Sequence, residues 1–227
     1  MSVIVKICGL KTPETVDSAL DAGADMVGLV FFARSPRDIG VPDAAALADR
    51  ARGRAEIAAL TVDADDVKLN MIVTGVRPDW LQLHGRETPE RAAAIRKRFG
   101  LRVMKALPVA TRADLDTVVH YTGVADQLLF DAQPPRDATR PGGLGTPFDW
   151  HILEQLDPGV PFMLSGGLNP ENVAEALRIT HAGGVDVSSG VERAPGEKDP
   201  DKIRAFIRAA RAAAAAMDTA SKVMSKA

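Results

Sequence analysis

Residues 164–191 read LSGGLNPENVAEALRITHAGGVDVSSGV. Two small-residue turns stand out, Ser165-Gly166-Gly167 and Ser188-Ser189-Gly190, each just after a short apolar run. Between them Asn169 is a suitable N-cap, Pro170 suits the first helical position, and Glu171 suits the positive helix end. The stretch therefore predicts strand, turn, helix, strand, turn. A glycine turn lets backbone N–H groups approach an anion with no Cβ in the way. Two such turns on neighbouring parallel strands would make one phosphate cradle. In a (β/α)8 barrel the phosphate site commonly lies in the loops after strands 7 and 8. The test is whether six further βα units precede this stretch.

They do. β-like runs fall at residues 3–8, 26–32, 57–62, 80–83, 103–107, 127–130, 161–164 and 185–187. Most are short and apolar throughout, as parallel strands buried on both faces are. Helix-like segments separate them. Thr12-Pro13-Glu14 and Thr88-Pro89-Glu90 share one opening signature, and Val41-Pro42-Asp43 opens another helix. Eight alternating units predict an α/β fold, a single (β/α)8 TIM barrel with its phosphate site at the loops after strands 7 and 8. Residues 1–217 are expected to form the barrel and residues 218–227 a polar tail. The helix before that tail should bury Ile203, Phe206 and Ile207.

Bulk properties narrow the function. The 227 residues are 46% hydrophobic and carry a net charge of −2, so a large core is expected and a basic nucleic-acid surface is not. No apolar run reaches the ~18 residues of a membrane span. The only cysteine is Cys8, which excludes an internal disulfide and fits a reducing, cytoplasmic setting. The four histidines are not at metal-ligand spacing, so no metal is expected.

Two connections are long: residues 33–41 after strand 2 and 132–147 after strand 6. Both follow strand C-termini, the catalytic face of a barrel, and the second carries Gly142, Gly143 and Gly145, as a lid would. Cys8 ends strand 1 and is either a general base or a small buried hydrophobe. Asp131 ends strand 6 and suits a general acid or a loop cap. Arg37, ahead of Arg34, suits a substrate carboxylate or simply solvent. Gln82 and His84 alternate with Leu81 and Leu83, so both lie on the opposite face from those leucines; His84 suits orienting substrate or a base, or a structural hydrogen bond.

With these residues assembled, the chain resembles the phosphoribosylanthranilate isomerase family. The resemblance rests on Lys6-Ile7-Cys8-Gly9-Leu10, on 28–32 followed by Ser35-Pro36-Arg37, on Leu81-Gln82-Leu83-His84-Gly85 and on Phe130-Asp131. It continues through Gly142-Gly143, Gly145-Thr146, Phe148-Asp149-Trp150, 164–172 and 186–192. The resemblance implies an Amadori rearrangement of N-(5-phosphoribosyl)anthranilate in tryptophan biosynthesis, without metal or organic cofactor. It implies Asp131 as general acid and Cys8 as general base. Arg37 would take the anthranilate carboxylate, and backbone around Gly143, Gly166, Gly167, Ser189 and Gly190 the phosphate. The expected partner is this phosphosugar alone, with neither nucleic acid nor membrane; monomer and homodimer both stay open. Two rivals remain. A dual-substrate isomerase of histidine and tryptophan synthesis uses paired aspartates, and Cys8 at strand 1 argues against it. A barrel that binds a phosphate ligand without turnover would not need both Cys8 and Asp131.

Overall fold

The computed structural model describes residues 3–224 apart from positions 136, 139, 144 and 146. Parts of the loop after the sixth strand, Thr146 of the resemblance motif, and the last residues of the expected tail therefore lie outside the described residues. Eight parallel strands close into a barrel in sequence order. They are β1 (Ile4–Cys8), β2 (Met26–Phe31), β3 (Glu56–Thr61), β4 (Trp80–Leu83), β5 (Arg102–Val109), β6 (Gln127–Ala132), β7 (Phe162–Leu164) and β8 (Gly184–Val187). β8 pairs back onto β1 with Lys6 opposite Asp186, which shuts the ring and removes the sheet edges.

The sequence places every strand within about two residues of its observed bounds. The helices are less regular. Helix α1 (Pro13–Asp21) starts as expected, with the Thr12 hydroxyl accepting from the Thr15 amide. α2 (Val41–Ala51) begins after Gly40, α3 (Asp66–Val76) after Asp65, and α4 (Pro89–Phe99) after Thr88. Among the described residues, units 5 and 6 carry no α-helix. A 3-10 helix, Arg112–His120, follows β5, and a shorter one, Trp150–Leu153, precedes β7.

The capping expectation after β7 holds at Asn169. Its Oδ1 accepts from the amides of Glu171 and Asn172, while Asn172 Oδ1 accepts from the Asn169 amide, a reciprocal cap. The Val173 amide donates to the Asn169 carbonyl, and the regular helix α5 (Val173–Thr180) follows this capped turn. The last helix, α6 (Pro200–Met224), buries Ile203, Phe206 and Ile207 as expected and continues past residue 217 into the segment expected to fray. Before it, β9 (Glu192–Ala194) and β10 (Glu197–Lys198) form a small antiparallel hairpin that the sequence reading did not contain.

The core is layered. Outward-facing strand residues such as Val5, Ile7, Leu29, Ile57 and Leu81 pack against the helices in one large cluster. Inside the barrel, Met26, Ala58, Trp80, Met104, Ala106, Leu129 and Met163 form a separate plug. This filled interior forces any site to the rim. At the N-terminal rim an aspartate repeats one task. Asp25, Asp79 and Asp126 stand just before β2, β4 and β6, and each accepts the amide of Val5, Ile57 or Val103 on the strand before, at 2.7, 2.8 and 2.8 Å. Each carboxylate pins one pair of strands at the face away from the glycine turns.

Candidate active site

Above the methionine-rich plug, at the C-terminal rim, a cavity is lined by residues from most of the barrel strands or the loops that follow them. Cys8 and Asp131 both line it, as do Arg37, His84, Gly143, Gly166, Gly167 and Ser189. Gln82 and Gly190 do not. Gln82 is fully buried beneath His84, with Nε2 at 3.3 Å from His84 Nδ1. Gly190 lies against the Leu168 carbonyl, where a Cβ would collide with backbone. Its role is to let the β8 turn approach the β7 turn.

The acid candidate is held on both oxygens. Asp131 Oδ1 accepts its neighbour's amide, Ala132 N, at 2.9 Å, and Oδ2 lies 3.1 Å from His84 Nε2. His84 is in turn set by the loop after β4. Lys105 Nζ donates to the Gly85 carbonyl at 2.7 Å and to Glu87 Oε2 at 2.9 Å, and Glu87 accepts the amides of Asp63 and Gly85. Lys105 and Glu87 are both buried, so this staple is rigid and shielded from solvent. Gly142 rests on the same carboxylate oxygen: a Cβ there would strike Asp131 Oδ2 and His84 Nε2. The described part of the loop after β6 thus sits down onto Asp131.

Cys8 lies across the same cavity, with Val30 and Leu60 beside it. Burial pushes its thiol above the ordinary value, opposed mainly by the Lys6 ammonium; Asp186 adds to the rise and Lys198 opposes it. The resting group is a thiol. Lys6 is fully buried in the barrel interior, 2.9 Å from Asp186 Oδ1.

Arg37 is more constrained than the sequence reading supposed. Its Nε and Nη2 clasp Glu192 Oε1 and Oε2 at 2.7 and 2.8 Å, and Nη2 also donates to the Gly143 carbonyl at 3.3 Å. The fork that was expected for substrate is already spent on Glu192, leaving the Nη1 side towards Gly143 and the cavity. Glu192 is also 2.7 Å from Lys198 Nζ, which donates to Ser188 O and Oγ; Ser188 Oγ donates to the Cys8 carbonyl. Arg37 and Lys198 hold the Glu192 carboxyl below its usual range against the cost of burial. Burial lowers Lys198 to about 8, with Glu192 opposing and Arg37 adding to the fall.

Sequence reasoning missed Glu192, Lys198, Lys6 and Asp186 as individuals, although all but Lys198 sit in the quoted motifs. A signal existed for Lys6: a charge in an apolar strand, on the same alternating face as Cys8.

The two glycine turns meet at the far end. Gly166 has φ +83° and Gly167 φ +68°, left-handed values that favour glycine. Among the described residues no hydrogen-bond partner takes either amide. Unused N–H groups beside a cavity suit an anion.

A family model described as N-(5'phosphoribosyl)anthranilate (PRA) isomerase matches residues 5–209. The chain belongs to this isomerase family. A relative from Afipia carboxidovorans, named N-(5'-phosphoribosyl)anthranilate isomerase, is 67% identical over 94% of this chain and 91% of its own. One of the same name from Rhodopseudomonas palustris strain BisA53 is 65% identical over 93% of this chain and 97% of its own. The crystal structure of phosphoribosyl anthranilate isomerase from Thermotoga maritima superposes with a TM-score of 0.84 at 36% identity, covering 92% of this chain and 99% of that one. A second isomerase structure, in complex with reduced 1-(o-carboxyphenylamino)-1-deoxyribulose 5-phosphate, has a TM-score of 0.81 at 34% identity over the same shares. The ligand of that neighbour carries both a phosphate and a carboxylate.

Proposed function

We propose that this isomerase works by an acid–base Amadori rearrangement in which Asp131 is the acid, Cys8 the base and the two glycine turns the phosphate anchor. The conversion takes N-(5'-phosphoribosyl)anthranilate to 1-(o-carboxyphenylamino)-1-deoxyribulose 5-phosphate, a step of tryptophan biosynthesis. The supporting observation is that Cys8 from β1 and Asp131 from β6 open onto one cavity together with the Gly166-Gly167 turn and Ser189.

The steps follow from those positions. Protonated Asp131 gives its proton to the ribose ring oxygen; the C1–O bond breaks and the anilino nitrogen supplies the electron pair that leaves an iminium. Cys8 as thiolate then removes the C2 proton, and the C2–H electrons neutralise the iminium to an enolamine. Tautomerisation of the C2 enol to a ketone completes the reaction with no change in atoms. The substrate nitrogen serves as electron sink. The amides of Gly166 and Gly167, with Ser189, hold the phosphate, and Arg37 presents Nη1 to the anthranilate carboxylate. Anchoring both ends of the substrate spends remote binding on orienting C1 and C2. His84 reads as the hydrogen-bond partner that keeps Asp131 aimed. The reading places the enzyme in the cytoplasm, where Cys8 stays reduced.

Loss of anthranilate fluorescence from phosphoribosylanthranilate made in situ tests this. Wild type should consume it rapidly. Folded Cys8→Ala and Asp131→Ala should fall by 100-fold or more, the usual order for losing a general acid or base. Wild-type rate in either variant overturns that residue's role; no decay with folded wild type overturns the function.

A further inference from the structure

The Lys6–Asp186 pair is not used by the steps above, yet it occupies the barrel interior directly below the reacting rim. The two residues are register partners on β1 and β8, with side chains 0% and 5% exposed. A buried ion pair is seldom worth keeping for stability, since apolar side chains of the same volume fill such a space as well or better. The plug beneath it is built in that apolar way, from Met26, Met104 and Met163. The position of the pair therefore calls for another reason.

That reason is its neighbour. Lys6 and Cys8 are two residues apart on one strand, so both side chains point inward. The Lys6 ammonium hydrogen-bonds Asp186 and has further N–H groups to give; its charge opposes the burial that pushes the Cys8 thiol up. The other elements around the thiol contribute little charge. β2 presents Gly28 and Val30, and β3 presents Leu60. The charged groups acting on the sulfur are Lys6 from β1, Asp186 from β8 and Lys198 from β10. Lys198 has Glu192 and Ser188 as its own partners.

We propose that Lys6 is a positioning residue for the proton transfer at Cys8: its buried ammonium, anchored by Asp186, stabilises the thiolate that takes the C2 proton. The proposal rests on Cys8 being the base. A buried thiolate is poorly solvated, and a fixed cation stabilises it without reorganising. Asp186 keeps the ammonium charged and in place, at the cost of moderating its field.

The chain's single cysteine makes the test direct. Thiolate absorbance near 240 nm is titrated in the full-length protein, with Cys8→Ser as the blank for other groups. Wild type is compared with Lys6→Met, with Lys6→Met/Asp186→Leu, and with the isosteric Asp186→Asn. Steady-state pH profiles accompany each titration. Removing Lys6 should raise the thiolate midpoint by about one unit or more, lower kcat near neutral pH about tenfold, change KM less than threefold, and allow recovery of kcat at higher pH. The double variant carries this arm if Lys6→Met, with its unpaired carboxylate, fails to fold. Asp186→Asn should move the midpoint the other way and carries the test by itself if neither Lys6 variant folds.

An unchanged midpoint and pH profile in these variants, with Cys8→Ser inactive, overturns the proposal alone. A shifted midpoint with an unshifted rate profile overturns the assignment of Cys8 as base, and the proposal with it.

Discussion

Arg37 shows how much one side chain's partners change its meaning. A guanidinium in a loop after a barrel strand suggests a carboxylate clamp, but here Glu192 takes the Nε–Nη2 fork in full. In the proposed function the remaining Nη1 side takes the substrate carboxylate, and Glu192 decides where that side points. Glu192→Gln should therefore raise KM about tenfold with a smaller effect on kcat, and lower the melting temperature because Lys198 and Arg37 lose their shared carboxylate. Steady-state kinetics with a thermal melt checks both. Cys8 makes a second prediction at this scale. Its thiol is pushed up by burial, so the base form appears only as pH rises. The limb of kcat/KM that depends on Cys8 should rise from acid towards alkaline pH, read from a pH profile of turnover.

At the scale of elements, the two rims of the barrel separate stability from chemistry. Asp79 holds the Ile57 amide at the N-terminal rim, far along the strands from Cys8 and Asp131. Asp79→Ala removes that acceptor and should cost about 1–3 kcal/mol of stability. It should leave kcat near wild type, which chemical denaturation and turnover on the same sample will show. The loop after β6 makes the opposite case. Gly142 meets Asp131 and His84 with no room for a Cβ. Gly142→Ala should lift the loop off the acid, reducing kcat tenfold or more with little change in melting temperature, since the residue lies in a loop outside the core. The His84 loop is braced independently by Lys105 and Glu87, so its geometry should survive that lifting.

The whole molecule responds to pH through its buried hairpin lysine. Lys198 is held at about 8 in the folded state, chiefly by burial, whereas an unfolded lysine titrates at roughly 10.4. Between these values the unfolded chain binds the proton more strongly, so this group's contribution to stability rises as pH climbs through that window. Lys198→Met lacks the effect. The melting temperature of wild type should thus gain on that of Lys198→Met between pH 7.5 and 9.5, by several degrees, measured by parallel thermal melts. A constant difference would mean that Lys198 stays charged in the fold throughout.

Local sequence signals carried the (β/α)8 order and most strand bounds, and they singled out Cys8, Asp131 and the Gly166-Gly167 turn, all of which line the rim cavity. These depend on local signals: apolar runs, proline-opened helices, and glycine where the backbone needs left-handed φ. The same local reading placed the cap at Asn169, whose side chain takes the amides of Glu171 and Asn172. It found no hairpin in residues 192–198, where the strands are too short to carry a period. The tertiary structure alone decided who meets whom. Lys6 and Asp186 lie 180 positions apart and Arg37 and Glu192 lie 155 apart. No local pattern encodes such pairs, because barrel closure brings the first together and the return of β9 and β10 along the C-terminal rim the second. Burial then does the rest: in water these charges would be solvated separately, and inside the barrel each must find its partner.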